Sequence, residues 1–519
     1  MIQLIAFTGI ASNATTRAAM MEAKPGHASA IYAAQAGSAL RLDSMTQPSP
    51  RPTTENAPQS RLVRFAAAAR AWGPWRLFWL ALAIRLAVVA LCHYYRINPE
   101  DDHFHFGAEM GRIARALATG RGYADPFLGQ TGPTAWVTPL FPLILSGIFK
   151  LFGVYSTLSA WAVLIFDSLL NVLLIPLIWE TGERCFGPRT ARWSCWIWAL
   201  YPAAMQYAVK WIWETTLTAF LFQLALLIAL RVACISTPAA CDAPELPNSR
   251  AADGPTWPRW LAFGLVWGLI ALSNPGLLLF LPVCGLWMLD RSGKAWRAHL
   301  PAHLPKAIAA GLVFLTVIAP WSWRNEQVFH QFVLFRTNFG AELYMGNGPG
   351  ASGIMMLYDH PVKNLRQFEL YRQMGELRYT AWRGELARQA IHSDPPRFFR
   401  LCLMRVYYFW FGIPNADFSP LVNFGRGLNY GFTSLAGLLG LALALRRRVP
   451  AASLFAAAFV LLPAVYYITT AHARFRHPLE PLITLLGVFL FQQAELRWGC
   501  TLPLLRRLWH TGNANSFHP

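Results

Sequence analysis

Long apolar runs limit this chain to one class of fold. Ten of them approach the length of about 20 residues that crosses the hydrocarbon core of a bilayer as a helix. They occupy residues 75–95, 155–179, 191–209, 212–234, 259–273, 276–290, 307–322, 429–445, 449–468 and 478–493. Only 14% of the 519 residues are charged, against about 25% in soluble proteins. The runs therefore predict an all-α polytopic membrane protein.

Two further apolar runs, 137–153 and 398–413, leave the number of crossings open. We expect about 10–12 transmembrane helices, depending on whether these two cross. The run 398–413 carries Arg400 and Arg405 among aromatic residues, a pattern typical of a helix that lies in the membrane interface. For 137–153 both readings stay open.

Basic residues at the ends of the apolar runs predict the orientation. Four arginines between 61 and 76 precede the first run, "RRR" stands at 446–448, and three more arginines lie between 497 and 507. Because positive residues in short loops stay on the cytoplasmic side, we expect both termini to be cytoplasmic in the inner membrane. The segments 96–136, 323–428 and 469–478 then face outward.

The predicted organisation has five parts. They are a polar, Pro-rich segment 1–60 that should be disordered and offers alternative starting methionines, an N-terminal transmembrane module 61–322 with the first outer loop 96–136, an outer, mostly helical domain 323–428, C-terminal transmembrane helices 429–495, and a cytoplasmic tail 496–519. The net charge of +19 could indicate a nucleic-acid partner. However, the basic residues flank the apolar runs and no nucleic-acid-binding motif occurs, so we expect membrane lipids instead.

The first outer loop combines an acidic cluster with the periodicity of a helix. Its sequence, "INPEDDHFHFGAEMGRIARALATGRGYADPF", contains Glu100, Asp101 and Asp102. Written as a helix over 102–117, it has an apolar stripe of Phe106, Met110, Ile113 and Leu117. The opposite stripe is polar and consists of Asp102, His105, Glu109 and Arg112. This pattern predicts an amphipathic helix on the outer surface, apolar face down. The acids could equally cap that helix.

Several stretches, in this order, resemble the GT-C superfamily of polytopic glycosyltransferases that use polyprenyl-phosphate-linked sugars. The relevant stretches are the acidic first loop, the "GRGY" turn, "TGPTAWVTPLFPLILSGIFKLFGVYS" (131–156), "NGPGASG" (347–353) and "ARFRHPLEPL" (473–482). The chain is similar to the bacterial members related to the aminoarabinose and protein O-mannosyl transferases. The resemblance covers roughly residues 75 to 495.

The resemblance implies a catalytic base in the first loop. Many members have Asp-Glu or a single Asp, whereas this chain has Glu-Asp-Asp. We therefore assign the base to Asp102, which begins the polar stripe, with Asp101 as the alternative. An ionised Asp can accept the proton of an acceptor hydroxyl. His105 and Glu109 could orient the acceptor or hold a divalent cation; no cofactor is otherwise expected.

Cations for the departing phosphate are expected in the outer turn 469–478. Arg474, Arg476 and His477 stand there, and arginine binds phosphate bidentately. The alternative is that these arginines only reach the interface from a span end. Lys210 and Glu214 share one helix face and could be an ion pair or substrate contacts.

The sequence thus favours an inverting hexosyl- or pentosyltransferase of the cytoplasmic membrane. It would move a sugar from a polyprenyl-phosphate donor to a lipid, glycan or protein acceptor on the outer face. A transporter or flippase of lipid-linked sugars is an alternative, which predicts paired broken helices; "SNPG" at 273–276 is one such interruption. A non-catalytic envelope assembly protein is another, for which the acidic pair would be dispensable.

Overall fold

Seventeen α-helices, and no strand, make up the part of the chain that the computed structural model describes. The described residues are 72–97, 106–235, 256–291, 296–414 and 419–498. The helices are α1 Pro74–Leu91, α2 Glu109–Ala118, α3 Leu140–Phe152, α4 Thr157–Phe186, α5 Pro188–Leu200, α6 Pro202–Val209, α7 Thr215–Val232, α8 Trp257–Ser273, α9 Leu281–Arg291, α10 Trp296–Phe329, α11 Phe339–Asn347, α12 Leu365–Met374, α13 Glu376–Ser393, α14 Pro395–Phe411, α15 Pro420–Arg446, α16 Ala452–Ile468 and α17 Glu480–Trp498.

Five of these helices are long and apolar enough to cross a membrane. They are α1, α4, α7, the part His303–Phe329 of α10, and α15. Three shorter apolar helices are Leu140–Phe152, Pro275–Asp290 and α16. The prediction of an all-α polytopic membrane protein is confirmed.

The two ambiguous runs form helices that differ from the spans. The run 137–153 becomes α3, whose 13 residues reach about 20 Å and fall short of the hydrocarbon thickness of about 30 Å. In α14, which covers the run 398–413, Arg405 donates to the carbonyls of Tyr467 and Ile468 where α16 ends. These contacts support the interfacial reading of α14.

A proline breaks one predicted span. The run 191–209 splits into α5 and α6 at Tyr201, because Pro202 lacks the N–H that would donate to the carbonyl of Trp198. The guanidinium of Arg85 in α1 donates to the carbonyls of Trp198 (3.3 Å) and Ala199 (3.2 Å) instead. It also donates to the Oδ1 of Asn171 in α4 (2.7 and 2.9 Å). The buried Arg85 therefore donates hydrogen bonds to backbone carbonyls that the helix break leaves without donors.

Small residues let pairs of helices approach closely. A Cβ on Gly264 of α8 would overlap the carbonyl of Ala310 in α10, and one on Gly440 of α15 would overlap the carbonyl of Leu486 in α17. Such contacts are typical of helices packed in membranes, where close backbone approach replaces the hydrophobic driving force.

Polar contacts join neighbouring helices near the two ends of this bundle. At one end, Glu180 of α4 pairs with Arg184 and with Arg231 of α7. At the opposite end, the hydroxyl of Thr218 near the start of α7 lies 2.8 Å from that of Ser273, where α8 ends. The second end also holds the first loop and the candidate site described next.

Candidate active site

The described residues that flank the segment 98–105 approach the part of the chain that precedes α7. Asp101, Asp102 and His105 themselves lie outside the described residues. On the N-terminal side, the amine of Lys210 lies 5.5 Å from the centre of the Tyr94 ring. On the C-terminal side, a Cβ on Gly107 would meet the carbonyl oxygen of Ile212 at 2.8 Å.

The helix predicted over 102–117 is wrong in its first part. Residues 106–108 are not helical, and α2 begins at Glu109. Gly107 has a φ of 83° and Ala108 a φ of 49°, values in the left-handed region that a right-handed helix cannot contain. One continuous polar stripe from Asp102 to Arg112 therefore does not exist.

The polar face of α2 is covered rather than exposed. Glu109 is 8% exposed and Arg112 1% exposed, so the prediction of a surface helix with a solvated polar face is wrong. A carboxylate oxygen of Glu109 lies 3.6 Å from Nε2 of His360, and Arg112 donates to the carbonyl of Pro126. Burial, with the charges of Arg112 and Arg383, lowers the pKa of His360 to about 3.

A second buried carboxylate fastens the same loop. Glu376, at the start of α13, accepts hydrogen bonds from Thr134, from the N–H of Ala135, and from Thr337 and Tyr371. Burial raises the pKa of Glu376, and these four hydrogen bonds oppose the rise. Since these donors come from the first loop, from the segment before α11 and from α12, Glu376 fixes the first loop against the outer segment. Sequence reasoning missed this residue because three of its four donors lie 39 or more residues away.

The guanidinium of Arg474 packs on the indole ring of Trp213, the residue after Ile212. The Cζ atom of Arg474 lies 3.8 Å from the centre of the Trp213 ring and 5.2 Å from that of Phe475. The buried Nε of Arg474 has no hydrogen-bond partner among the described residues. An arginine with a buried, unused donor is available to an anion.

Glu214 lies next to this arginine. Burial raises the pKa of its carboxyl, and the charge of Arg474 is the largest opposing influence. Within the described chain, Oε2 of Glu214 and the indole N–H of Trp213 have no hydrogen-bond partner. We name Trp213, Glu214 and Arg474, together with Lys210 from the same segment 210–214, the Arg474 cluster. Lys210, Glu214 and Arg474 were predicted from sequence as site residues.

Arg476 does not join this cluster, which corrects the expectation that it faces a phosphate. It is fully buried, and its Nε donates to Glu480 at 2.7 Å. Its other nitrogens donate to the carbonyls of Trp410 and Tyr430 and to the hydroxyls of Ser434 and Thr433. With its donors committed inside the bundle, Arg476 ties α14, α15 and α17 together.

His477 also points inward, contrary to expectation. It is fully buried, with ring centres 4.7 Å from Tyr207 and 5.9 Å from Trp198. Burial and the charge of Arg85 lower the pKa of His477 to about 3. The imidazole is therefore neutral at physiological pH and adds no positive charge for a phosphate.

Further contacts connect the Arg474 cluster to the segment 273–276, where α8 ends. The rings of Phe475 and Tyr466 stack at 4.0 Å with an angle of 9°. The Tyr466 hydroxyl accepts a hydrogen bond of 2.9 Å from Asn274, the residue that precedes Pro275. On another side, an isolated bridge between Ile354 and Ala471 places the chain just after the Gly-rich turn 347–353 beside the turn that carries Arg474.

The predicted divalent cation stays a prediction. Asp102 and His105 lie outside the described residues, and the described ones contain no group of three His, Cys, Asp or Glu side chains that could hold a metal. Glu109, the third expected ligand, is directed to His360.

Comparison with known proteins found matches among solved structures alone. No protein-family model and no curated protein matches the sequence. The oligosaccharyltransferase of Archaeoglobus fulgidus, in complex with zinc and sulfate, matches at 14% identity and a TM-score of 0.47, over 84% of this chain and 51% of the archaeal one. The same enzyme, AglB, in complex with an inhibitory peptide and a dolichol-phosphate matches at 15% identity and a TM-score of 0.46, over 86% and 52%. This chain thus spans about half the length of the archaeal enzyme.

ArnT from Cupriavidus metallidurans bound to undecaprenyl phosphate matches at 14% identity and a TM-score of 0.34, over 79% of this chain and 77% of that one.

Proposed function

We propose that this protein is a glycosyltransferase of the cytoplasmic membrane that transfers a sugar from a polyprenyl-phosphate donor to a lipid, glycan or protein acceptor. The observation that carries the proposal is the Arg474 cluster. It offers a cation with a buried unused donor, an unpartnered indole N–H and an unpartnered carboxylate oxygen, next to the ends of an acidic loop. Such a set suits a phosphate joined to a sugar.

In the reaction, the acceptor hydroxyl oxygen attacks the anomeric carbon from the face opposite the phosphate. The bond between that carbon and the phosphate oxygen breaks, so the configuration inverts. Asp102 takes the hydroxyl proton as the new bond forms. Arg474 and Lys210 balance the charge that remains on the polyprenyl phosphate. Glu214 accepts hydrogen bonds from sugar hydroxyls, for which its Oε2 has no competing partner in the described chain.

The positive-residue rule places this site on the outer face, with both termini inside. After removal of native thiols, single cysteines at Gln130 and Ser393 should react with an impermeant thiol reagent in intact cells. A cysteine at Gly293, outside the described residues, should react only in permeabilised cells. Labelling of Gly293 alone in intact cells would reverse the orientation.

A role for Arg474 in phosphate binding predicts a specific loss. Arg474→Gln removes charge-assisted hydrogen bonds, each worth about 1.5–3 kcal/mol, and should weaken binding of undecaprenyl phosphate about tenfold to hundredfold. Binding to the full chain in detergent, measured by equilibrium titration, tests this. The melting temperature should hardly change, since Arg474 is only half-buried.

Arg372→Gln serves as the matched control. Arg372 is also outside the spans, but its side chain is 60% exposed and pairs with Glu369 at 3.3 Å. We expect wild-type affinity for undecaprenyl phosphate in this variant. Equal affinity in the Arg474 and Arg372 variants would remove the phosphate role and with it the main support for the proposed function.

A further inference from the structure

A cavity of about 350 Å³ opens between the segment 332–337, the start of α13 and Pro275. We name it the Arg336 pocket; it is lined by Pro275, residues 332–337, Leu377 and Thr380. Its volume lies within the range of small-ligand sites, about 300–1,000 Å³. Six of the nine lining residues are apolar, two are threonines, and Arg336 is the one charged residue.

The guanidinium of Arg336 has N–H donors available for a ligand. Among the described residues, its carboxylate neighbour is Glu342 at 3.9 Å, a distance longer than a hydrogen bond. Arg476, by contrast, donates from all three of its nitrogens to partners within the bundle. An arginine at the wall of an apolar pocket with uncommitted donors is suited to bind an anionic group.

A chain of side-chain contacts links the pocket to the Arg474 cluster. Its wall residue Pro275 follows Asn274, which is joined through Tyr466 and Phe475 to Arg474. The carboxyl of Glu214 is also influenced by both arginines: burial raises its pKa, and Arg474 and, more weakly, Arg336 oppose the rise. Glu214 therefore lies within electrostatic range of both sites.

The rim of the pocket favours a lipid over a peptide. Phe332 is 74% exposed and Leu334 40% exposed. Exposed apolar side chains at the mouth, near Pro275 two residues after the end of α8, suit a ligand whose apolar part comes from the membrane.

We infer that the Arg336 pocket is the acceptor site, and that it takes an amphiphile whose acidic headgroup binds Arg336. This inference rests on the proposed function. The acidic group at Arg336 would hold the acceptor while its hydroxyl extends toward Glu214 and the donor. Arg336 would then determine acceptor specificity, while Arg474 binds the donor phosphate.

The probe is N-lauroylglycine, a single-chain amphiphile with one carboxylate, compared with its uncharged amide. With the full chain in phosphatidylcholine nanodiscs, the acid should bind at least about tenfold more tightly than the amide. Arg336→Gln should remove this difference and leave binding of undecaprenyl phosphate unchanged. Leu377→Trp, which fills the pocket, should weaken binding of the acid and of the amide alike; its retained binding of undecaprenyl phosphate shows that it is folded.

Arg474→Gln distinguishes the two sites, because it should lower the affinity for undecaprenyl phosphate and leave the acid-to-amide ratio intact. Loss of that ratio in the Arg474 variant but not in the Arg336 variant would overturn the inference. Preferential binding of tetraglutamate over N-lauroylglycine would also overturn it, in favour of an acidic peptide. If undecaprenyl phosphate fails to bind the wild-type chain, the proposed function fails, while discrimination by Arg336 can still be measured.

Discussion

Replacing Asp102 with asparagine should lower the rate of sugar transfer about 10²–10⁴-fold. The variant keeps the size of the side chain and most of its hydrogen-bonding ability, but it removes the proton acceptor. Membrane insertion and the melting temperature should hardly change. Transfer to endogenous acceptors, measured in membranes supplied with a radiolabelled lipid-linked sugar, tests this expectation.

Asp101→Asn is the matched control, one residue away in the same acidic segment. If Asp102 is the base, this variant should lose much less activity. If both acids only cap a helix, both variants should stay fully active, because Asn caps nearly as well as Asp. A larger loss in the Asp101 variant would move the base to Asp101, and full activity in both would contradict acid–base catalysis by this segment.

Arg476→Gln should instead destabilise the protein, by about 3–5 kcal/mol, because it leaves the carboxylate of Glu480 buried without its cation. Glu480 is 5% exposed, and its Oε1 accepts the 2.7 Å hydrogen bond from Arg476. Denaturant unfolding in mixed micelles should show the loss. The Arg474→Gln variant, two residues away, should unfold like the wild type.

The double variant Arg476→Gln/Glu480→Gln separates the charge pair from the packing around it. It should be more stable than the single variant, because no uncompensated buried charge remains. If Arg476→Gln unfolds like the wild type but binds undecaprenyl phosphate more weakly, then Arg476 faces the phosphate.

Most helices could be placed from the sequence, because the apolar runs overlap them, although Pro202 divides the run 191–209 and the sequence left the role of 137–153 open. The acidic loop and the segment 210–214 were also predicted as site elements. Glu214 and Arg474 are in fact neighbours. Apolar periodicity and charged span ends are local signals, so a single sequence contains them.

The sequence predictions were wrong where contacts between distant residues determine the position of a side chain or the start of a helix. Arg474, Arg476 and His477 stand in one turn and could not be told apart from the sequence. Of these three, only Arg474 packs on the ring of Trp213. Glu480 stands four residues after Arg476, and this i,i+4 spacing was the available sign of an internal pair. The start of α2 was misplaced because the left-handed conformation of Ala108 carries no sequence signal. The Arg336 pocket combines three distant segments and was not predictable.

The hydrogen bonds from Arg85 across the break at Pro202 have a consequence for biogenesis. The first span enters the membrane during synthesis with a guanidinium on it, and the carbonyls of Trp198 and Ala199 are made more than a hundred residues later. Until then this charge costs about 3 kcal/mol or more in lipid. We therefore expect α1 to reach its final packing only once α4 and α5, which supply Asn171 and these carbonyls, have been made.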